Sequence, residues 1–486
     1  MATSSRTPGT GRHTVSEDGR SRCDILVTNA YVATMDDDRT MYPSGAVAIS
    51  GRDVAAVGPE REILAGWRAD RVLDACGSLV HPGLVEAHYH TSLHLTRGTV
   101  SDAPHAVSPS GGSGGKIGLY SAWFNHLTDE DEFAGALHAS VEMVRNGITC
   151  FLEPGTALET DAVAAAAEAV GIRALVTDPF LWDHADGLAM ATEIERAPAT
   201  TERALAVLGT QLRRNADPDG LVRGHVGLYG MNTFTDELAV AAKACADENG
   251  TSLTLHQNFD TADVAYDDER WGAHAVAHLA ELGVLGANVS LAHMNVLRDD
   301  EFDAVADSGA TIVWHPGNYL FYGIASRTPC RIPELLERGV PVAVMTDAAK
   351  VWSFGETGWV GYLVARMQDQ FVSAEQVLEL QTRGGARAVG LADRIGTLEP
   401  SRRADLVIRT DRLAEAQPGF DRVREAILVS RSKSVDTVIV DGEIVLRGGR
   451  LTRVEEEVAY ELARTSARRL AEKVGIGPAW TWPEVE

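Results

Sequence analysis

Cysteine is scarce in this chain: Cys23, Cys76, Cys150, Cys245 and Cys330 are the five among 486 residues. They are scattered, odd in number and nowhere spaced Cys-x-x-Cys. That argues against a disulfide framework or a structural zinc site and suits a reducing, cytoplasmic setting. No apolar run approaches the length of a membrane span. The first 22 residues are rich in Ser, Thr, Gly and Arg and lack the apolar stretch of a secretory signal. Basic residues are also short: the formal net charge is −25. That balance argues against nucleic acid or an anionic membrane as partner and says little about the expected partner, a small-molecule substrate, whose site field is local. Apolar residues, at 45%, are enough for a sizeable core.

The rest of the chain is organised around Val80-His81-Pro82-Gly83-Leu84-Val85-Glu86-Ala87-His88-Tyr89-His90. In a strand, alternate side chains share a face, so His88 and His90 point together and Tyr89 points opposite. Two imidazoles at a strand end suit a divalent metal. Downstream, strand-like and helix-like segments alternate. The strand ends are Leu152, Val176, Gly230, His256, His293, His315 and Asp347, which with Leu84–His90 makes eight. Such alternation predicts parallel strands with crossover helices, and eight fit a closed barrel with its chemistry at the C-terminal strand ends. There His88, His90, His256, His293 and Asp347, far apart in sequence, would share one mouth.

Outside that series, short strands with turn residues occur at both ends of the chain, the later one with an Asp441-Gly442 hairpin turn. The expected fold class is α/β: a (β/α)8 barrel with a small β-sandwich domain built from both chain ends. The boundaries are a disordered tail over 1–22, small-domain pieces over 23–80 and 396–452, the barrel over 81–395, and a helix and tail over 453–486. A helix is expected over Ala273–Leu282. The Gly/Ser/Pro-rich stretch 100–118 is a loop at the metal end, either a plain surface loop or a lid.

These residues resemble the amidohydrolase superfamily. The likeness runs from about residue 23 to 450 and includes the segment ending in His88 and His90, Leu291–Leu297, Val342–Asp347, Arg383–Leu391 and Gly396–Val407. Within it the chain is similar to the branch holding adenosylhomocysteine and guanine deaminases, triazine hydrolases, and phenylurea and thiocarbamate hydrolases. The resemblance implies one metal ion held by His88, His90, His256 and Asp347. Zinc is the first choice, and iron, manganese and cobalt are also possible. A bridging lysine is missing at Leu228-Tyr229-Gly230, which favours one ion over two. It further implies hydrolysis by water bound to that ion, with Asp347 carrying the proton and His293 polarising the substrate carbonyl.

One departure bears on the substrate. Deaminases of this branch carry His-x-x-Glu on strand five, whereas this chain reads His256-Gln257-Asn258-Phe259. Phe259 cannot protonate a ring nitrogen, so an amide, urea or carbamate C–N bond is the expected target. Deamination of a heteroaromatic ring and a catalytically inactive binding protein are the alternatives. Glu153 is a candidate replacement acid. Asn318, Phe259, Trp314, Lys350 and Tyr89 are candidate substrate contacts, with Tyr319, Tyr322 and Trp352 as further aromatic lining. Lys350 could equally be a solvated loop lysine. A homo-oligomer, a dimer as in relatives, is expected.

Overall fold

The computed structural model describes residues 19–100, 114–184, 193–197, 200–348, 351–477 and 482. Most of the N-terminal tail, the Gly/Ser/Pro-rich loop up to Ser113, Lys350 and most of the final aromatic segment thus lie outside the described residues. Among the described residues no helix is long and apolar enough to cross a membrane.

Five strands come first: β1 Ser21–Ala33, β2 Met41–Ser50, β3 Asp53–Pro59, β4 Trp67–Asp74 and β5 Leu79–Pro82. Their β-branched residues alternate. Ile25 pairs with Ile49 and Val27 with Val47, and all four are buried. The residues between them, Leu26, Ala46 and Ala48, are buried on the opposite face in a cluster with Ile63, so a one-residue slip would exchange two different packed faces.

Nine parallel segments follow: β6 Leu84–Glu86, β7 Ile148–Leu152, β8 Arg173–Val176, β9 Val222–Gly224, β10 Val226–Gly230, β11 Leu253–Gln257, β12 Val289–His293, β13 Thr311–Trp314 and β14 Val342–Val344. They form two arcs, β6 to β9 and β10 to β14. β9 and β10 are one strand broken at His225. Its amide donates back to Val176 (3.0 Å), while the next, Val226, donates forward to Ser252 (3.0 Å). At the other junction Tyr89 bridges Asp347 in parallel. His90 N–H donates to Asp347 O (2.9 Å) and Asp347 N–H to His88 O (3.2 Å). The arcs therefore meet on both sides, and the eight-strand α/β barrel read from the sequence is present.

Side-chain parity sorts the barrel. Val85, Ala87, Cys150, Leu152, Leu175, Val313, Ala343 and Met345 pack inside. Leu228, Leu255, Leu291, Ile312, Trp314 and Val344 belong to a second cluster shared with the surrounding helices. The helices begin where side chains can cap them: Thr128 accepts from Asp131 N–H, and Thr235 from Leu238 N–H. The helix expected over Ala273–Leu282 is shorter, Ala275–Glu281, with another over Thr261–Trp271 before it. Gly272, at φ +64°, separates them.

The chain then rejoins the first sheet through β15 Leu406–Arg409, β16 Val435–Val440, β17 Glu443–Arg447 and β18 Arg450–Leu451. β15 runs antiparallel to β5, giving one nine-stranded sheet. The β16–β17 turn is Asp441-Gly442, both at positive φ as a type I′ turn requires. Arg173 of β8 pins this sheet to the barrel base, donating to Asp405 (3.2 Å) and Asp441 (3.0 Å). The final helix, Glu456–Val474, packs on the helix Asp129–Arg145.

Candidate metal centre

The barrel gathers its histidines where the parallel strands end. His88 Nε2 and His256 Nε2 each lie 3.2 Å from His90 Nε2. Asp347 Oδ1 lies 3.0 Å from His90 Nε2 and 3.8 Å from His88 Nε2. All four residues are buried. Burial, followed by the neighbouring imidazoles, holds His88 and His256 well below the usual histidine range. They are therefore neutral near pH 7, with lone pairs available to a cation.

The remaining ring nitrogens show how the cluster is aimed. His256 Nδ1 contacts the Tyr229 carbonyl, which leaves Nε2 for the centre. His90 Nδ1 contacts Thr156 Oγ1 at 3.0 Å, and Thr156 Oγ1 donates to Glu153 Oε1 at 2.7 Å. Glu153 also accepts the N–H groups of Gly155 and Thr156. This corrects the reading of Glu153 as a replacement acid: its carboxylate is occupied holding the loop behind His90. Such outer partners orient metal ligands and raise their basicity.

Backbone strain concentrates at the same rim. His293 (φ +78°), Asp347 (φ +69°) and Asn258 (φ +51°) are non-glycine residues in the left-handed region. Each such conformation costs on the order of 1–3 kcal/mol and persists only where surrounding structure imposes it. Gly230 shows why the fourth strand ends without a long side chain. A Cβ there would sit 2.1 Å from the His256 carbonyl oxygen, so any side chain would displace strand five.

His293 joins the cluster, its ring centroid 5.3 Å from that of His256 and 6.0 Å from that of His88. His315, which the sequence placed only as a strand end, has Nδ1 3.0 Å from His293 Nδ1. One of these nitrogens must carry the proton and the other accept it, so His315 sets the tautomer of His293. Burial also lowers the pKa of His315 well below the usual value.

Phe259 lies at the mouth, 4.8 Å from the His293 ring and 5.4 Å from Tyr322 between centroids. Its N–H donates to Asp263 Oδ2 (2.9 Å), and its carbonyl accepts from Asn295 Nδ2 (3.0 Å). Asn318 is buried on the short helix Pro316–Phe321 that follows His315.

Tyr89 and Trp314 do not line the mouth. Tyr89 alternates to the outer face, where its ring lies 4.6 Å from Phe354 and its hydroxyl 2.6 Å from His94 Nδ1. Trp314 faces the helix layer, with Gly361 against its ring. Tyr319 is also core, its hydroxyl donating to the Thr328 carbonyl at 2.6 Å. Lys350 lies outside the described residues. Gly317 is needed by the fold: a Cβ there would meet the Trp352 indole at 2.4 Å. A cavity of about 720 Å3 lined by Arg97, Gly317, Phe321, Trp352 and Trp359 lies beside the rim, and none of the clustered histidines lines it.

A profile of the Amidohydrolase family matches residues 79–445. The chain belongs to the Amidohydrolase family. This amidohydrolase is a metal-dependent hydrolase of carbon–nitrogen bonds other than peptide bonds. It is 31% identical to a 5-methylthioadenosine/S-adenosylhomocysteine deaminase of Syntrophobacter fumaroxidans, over 93% of this chain and 99% of that protein. It is 28% identical to a 5'-deoxyadenosine deaminase of Methanosarcina mazei, over 93% and 99%. Its fold is similar to that of a zinc-bound adenosine deaminase from Xanthomonas campestris, with TM-score 0.81 and 23% identity over 93% of this chain and 100% of that one. It is also similar to a zinc complex of atrazine chlorohydrolase from Arthrobacter aurescens, with TM-score 0.78 and 22% identity over 91% and 100%.

Proposed function

We propose that this amidohydrolase cleaves an amide, urea or carbamate C–N bond of a small molecule, with one divalent ion held by His88, His90, His256 and Asp347. The donor set fits such an ion. The ligand nitrogens of the three histidines all lie within 4.8 Å of one another, and Asp347 Oδ1 stands 3.0 Å from one of them. Three imidazoles and a carboxylate suit zinc best, and iron, manganese or cobalt can replace it. When bound, such an ion would lower the pKa of a water to about 7 and polarise the scissile group. Asp347 takes the proton of the attacking water and returns it to the departing nitrogen. His293 donates a hydrogen bond to the substrate oxygen as charge develops there, with its ring set by His315.

The observation that carries this reading is Phe259, an apolar ring against His293 where ring-deaminating enzymes of the resembling branch have a glutamate. An acyl carbon needs no ring protonation, so the reaction is complete without an acid at that position. The deaminases among the relatives favour a second reading, aminohydrolysis of a heteroaromatic ring. Metal-loaded protein assayed on parallel panels separates the two. Turnover of small amides, ureas and carbamates is expected. Ammonia release from purines, pterins or triazines, with no acyl turnover, would overturn the first reading.

A further inference from the structure

A second convergence of metal-type donors lies on the outer side of the first barrel strand, away from the mouth. His94 belongs to the short helical turn Thr91–Thr96. His138 and Glu142 sit four residues apart on the helix Asp129–Arg145, so they share one of its faces. Their ligand atoms all lie within 4.8 Å of one another. His94 Nε2 is 2.6 Å from His138 Nδ1 and 3.8 Å from Glu142 Oε2. We propose that His94, His138 and Glu142 form a second site for a divalent transition-metal ion, zinc by preference, independent of the reaction at the barrel mouth.

Three further features support it. The other nitrogen of His94 is held by the Tyr89 hydroxyl at 2.6 Å, the outer-partner arrangement that fixes a ligating imidazole. Glu142 is likewise oriented, by Arg97 at 2.7 and 3.1 Å. A cavity of about 420 Å3, lined by His138, Glu142, Arg145, Ser353 and Tyr460 among others, gives an ion access. Both imidazoles are held below their usual pKa, mainly by burial, so both offer lone pairs at neutral pH.

In the absence of an ion the two histidines share a proton. Tetrahedral donors about 2.0–2.1 Å from zinc stand roughly 3.4 Å apart, so the ion would part the two nitrogens by about 0.8 Å and leave the His94 proton on Nδ1, donated to the Tyr89 hydroxyl oxygen. Water would complete the His2Glu set. The Arg97 guanidinium opposes a cation beside Glu142, so this site is weaker than the one at the mouth, and a chelator empties it first.

The test is a metal count on the full chain, equilibrated with zinc and measured by elemental analysis. Two equivalents are expected, falling to one in His138→Ala and in Glu142→Gln, and separately to one in His256→Ala. Cobalt-substituted protein should lose one visible absorption component in each class of variant. His138→Gln, which keeps a hydrogen-bonding side chain, guards against a folding defect and should also bind one equivalent. A single equivalent lost only with His256→Ala overturns this proposal and leaves the mouth site standing. A second equivalent that survives both His138→Gln and Glu142→Gln also overturns it. Loss of the mouth equivalent alone would count against the reaction assigned there.

Discussion

Phe259→Glu should turn this enzyme toward ring deamination. Phe259 is 8% exposed and packs between His293 and Tyr322, so trading its ring for a carboxyl costs about 3 kcal/mol of stability. In the same apolar surroundings the new carboxyl would be pushed toward its protonated form, as proton donation to a ring nitrogen requires. A positioned acid contributes roughly 10²–10⁴ in rate, about 2.7–5.4 kcal/mol of barrier. The assay compares ammonia release from aminopurines and aminotriazines with hydrolysis of an amide by the same preparations, alongside metal content and thermal unfolding. Ammonia release should rise by about 10²-fold or more. Wild-type protein already releasing ammonia within tenfold of the variant would show that ring protonation does not depend on residue 259. A folded, metal-loaded variant with no rise would show that this position does not reach the ring.

Asp347→Asn should abolish turnover, by about 10³-fold or more per bound metal, because the amide cannot carry the proton; undiminished kcat would remove Asp347 from that role. Thr156→Val cuts the link from His90 to Glu153 and should weaken metal affinity by about 10–100-fold in competition with a chromogenic chelator. Arg173→Met leaves the buried carboxylate of Asp405 without its cation, while half-buried Asp441 keeps Arg52 and Arg403, so chemical denaturation should show a loss of about 3–5 kcal/mol. Burial pushes the Glu132 carboxyl up to about 8 from 4.5. Its folded form prefers the proton, so its contribution is complete below pH 4.5 and is lost as pH rises through about 8. Glu132→Gln should flatten stability across that window.

The gathering of His88, His90, His256 and Asp347 was legible because strand parity and the barrel rule together bring distant strand ends to one rim. The same parity, carried one step further, separates what was read correctly from what was not. Trp314 is one residue out of phase with inward-facing Val313, and Tyr89 alternates with His88 and His90; both turn to the helix layer. His315, in phase with inward-facing Val313, follows from that rule. Glu153 gave no such signal. Whether a loop carboxylate is free or capped depends on the amides of Gly155 and Thr156, and loop geometry leaves no periodic trace. The break at His225 was equally hidden, since one apolar run can serve two sheet partners without changing composition.

The hoop of strands is joined at one point by the backbone bonds among His88, His90 and Asp347, the same residues proposed to hold the cation. An ion gripping both sides of that joint would act as a clasp on the whole ring, with His256 reaching across to the far arc. Occupancy of the centre would then govern whether the barrel can spring open, and cycles of loading and stripping would be felt at strands that never touch a substrate.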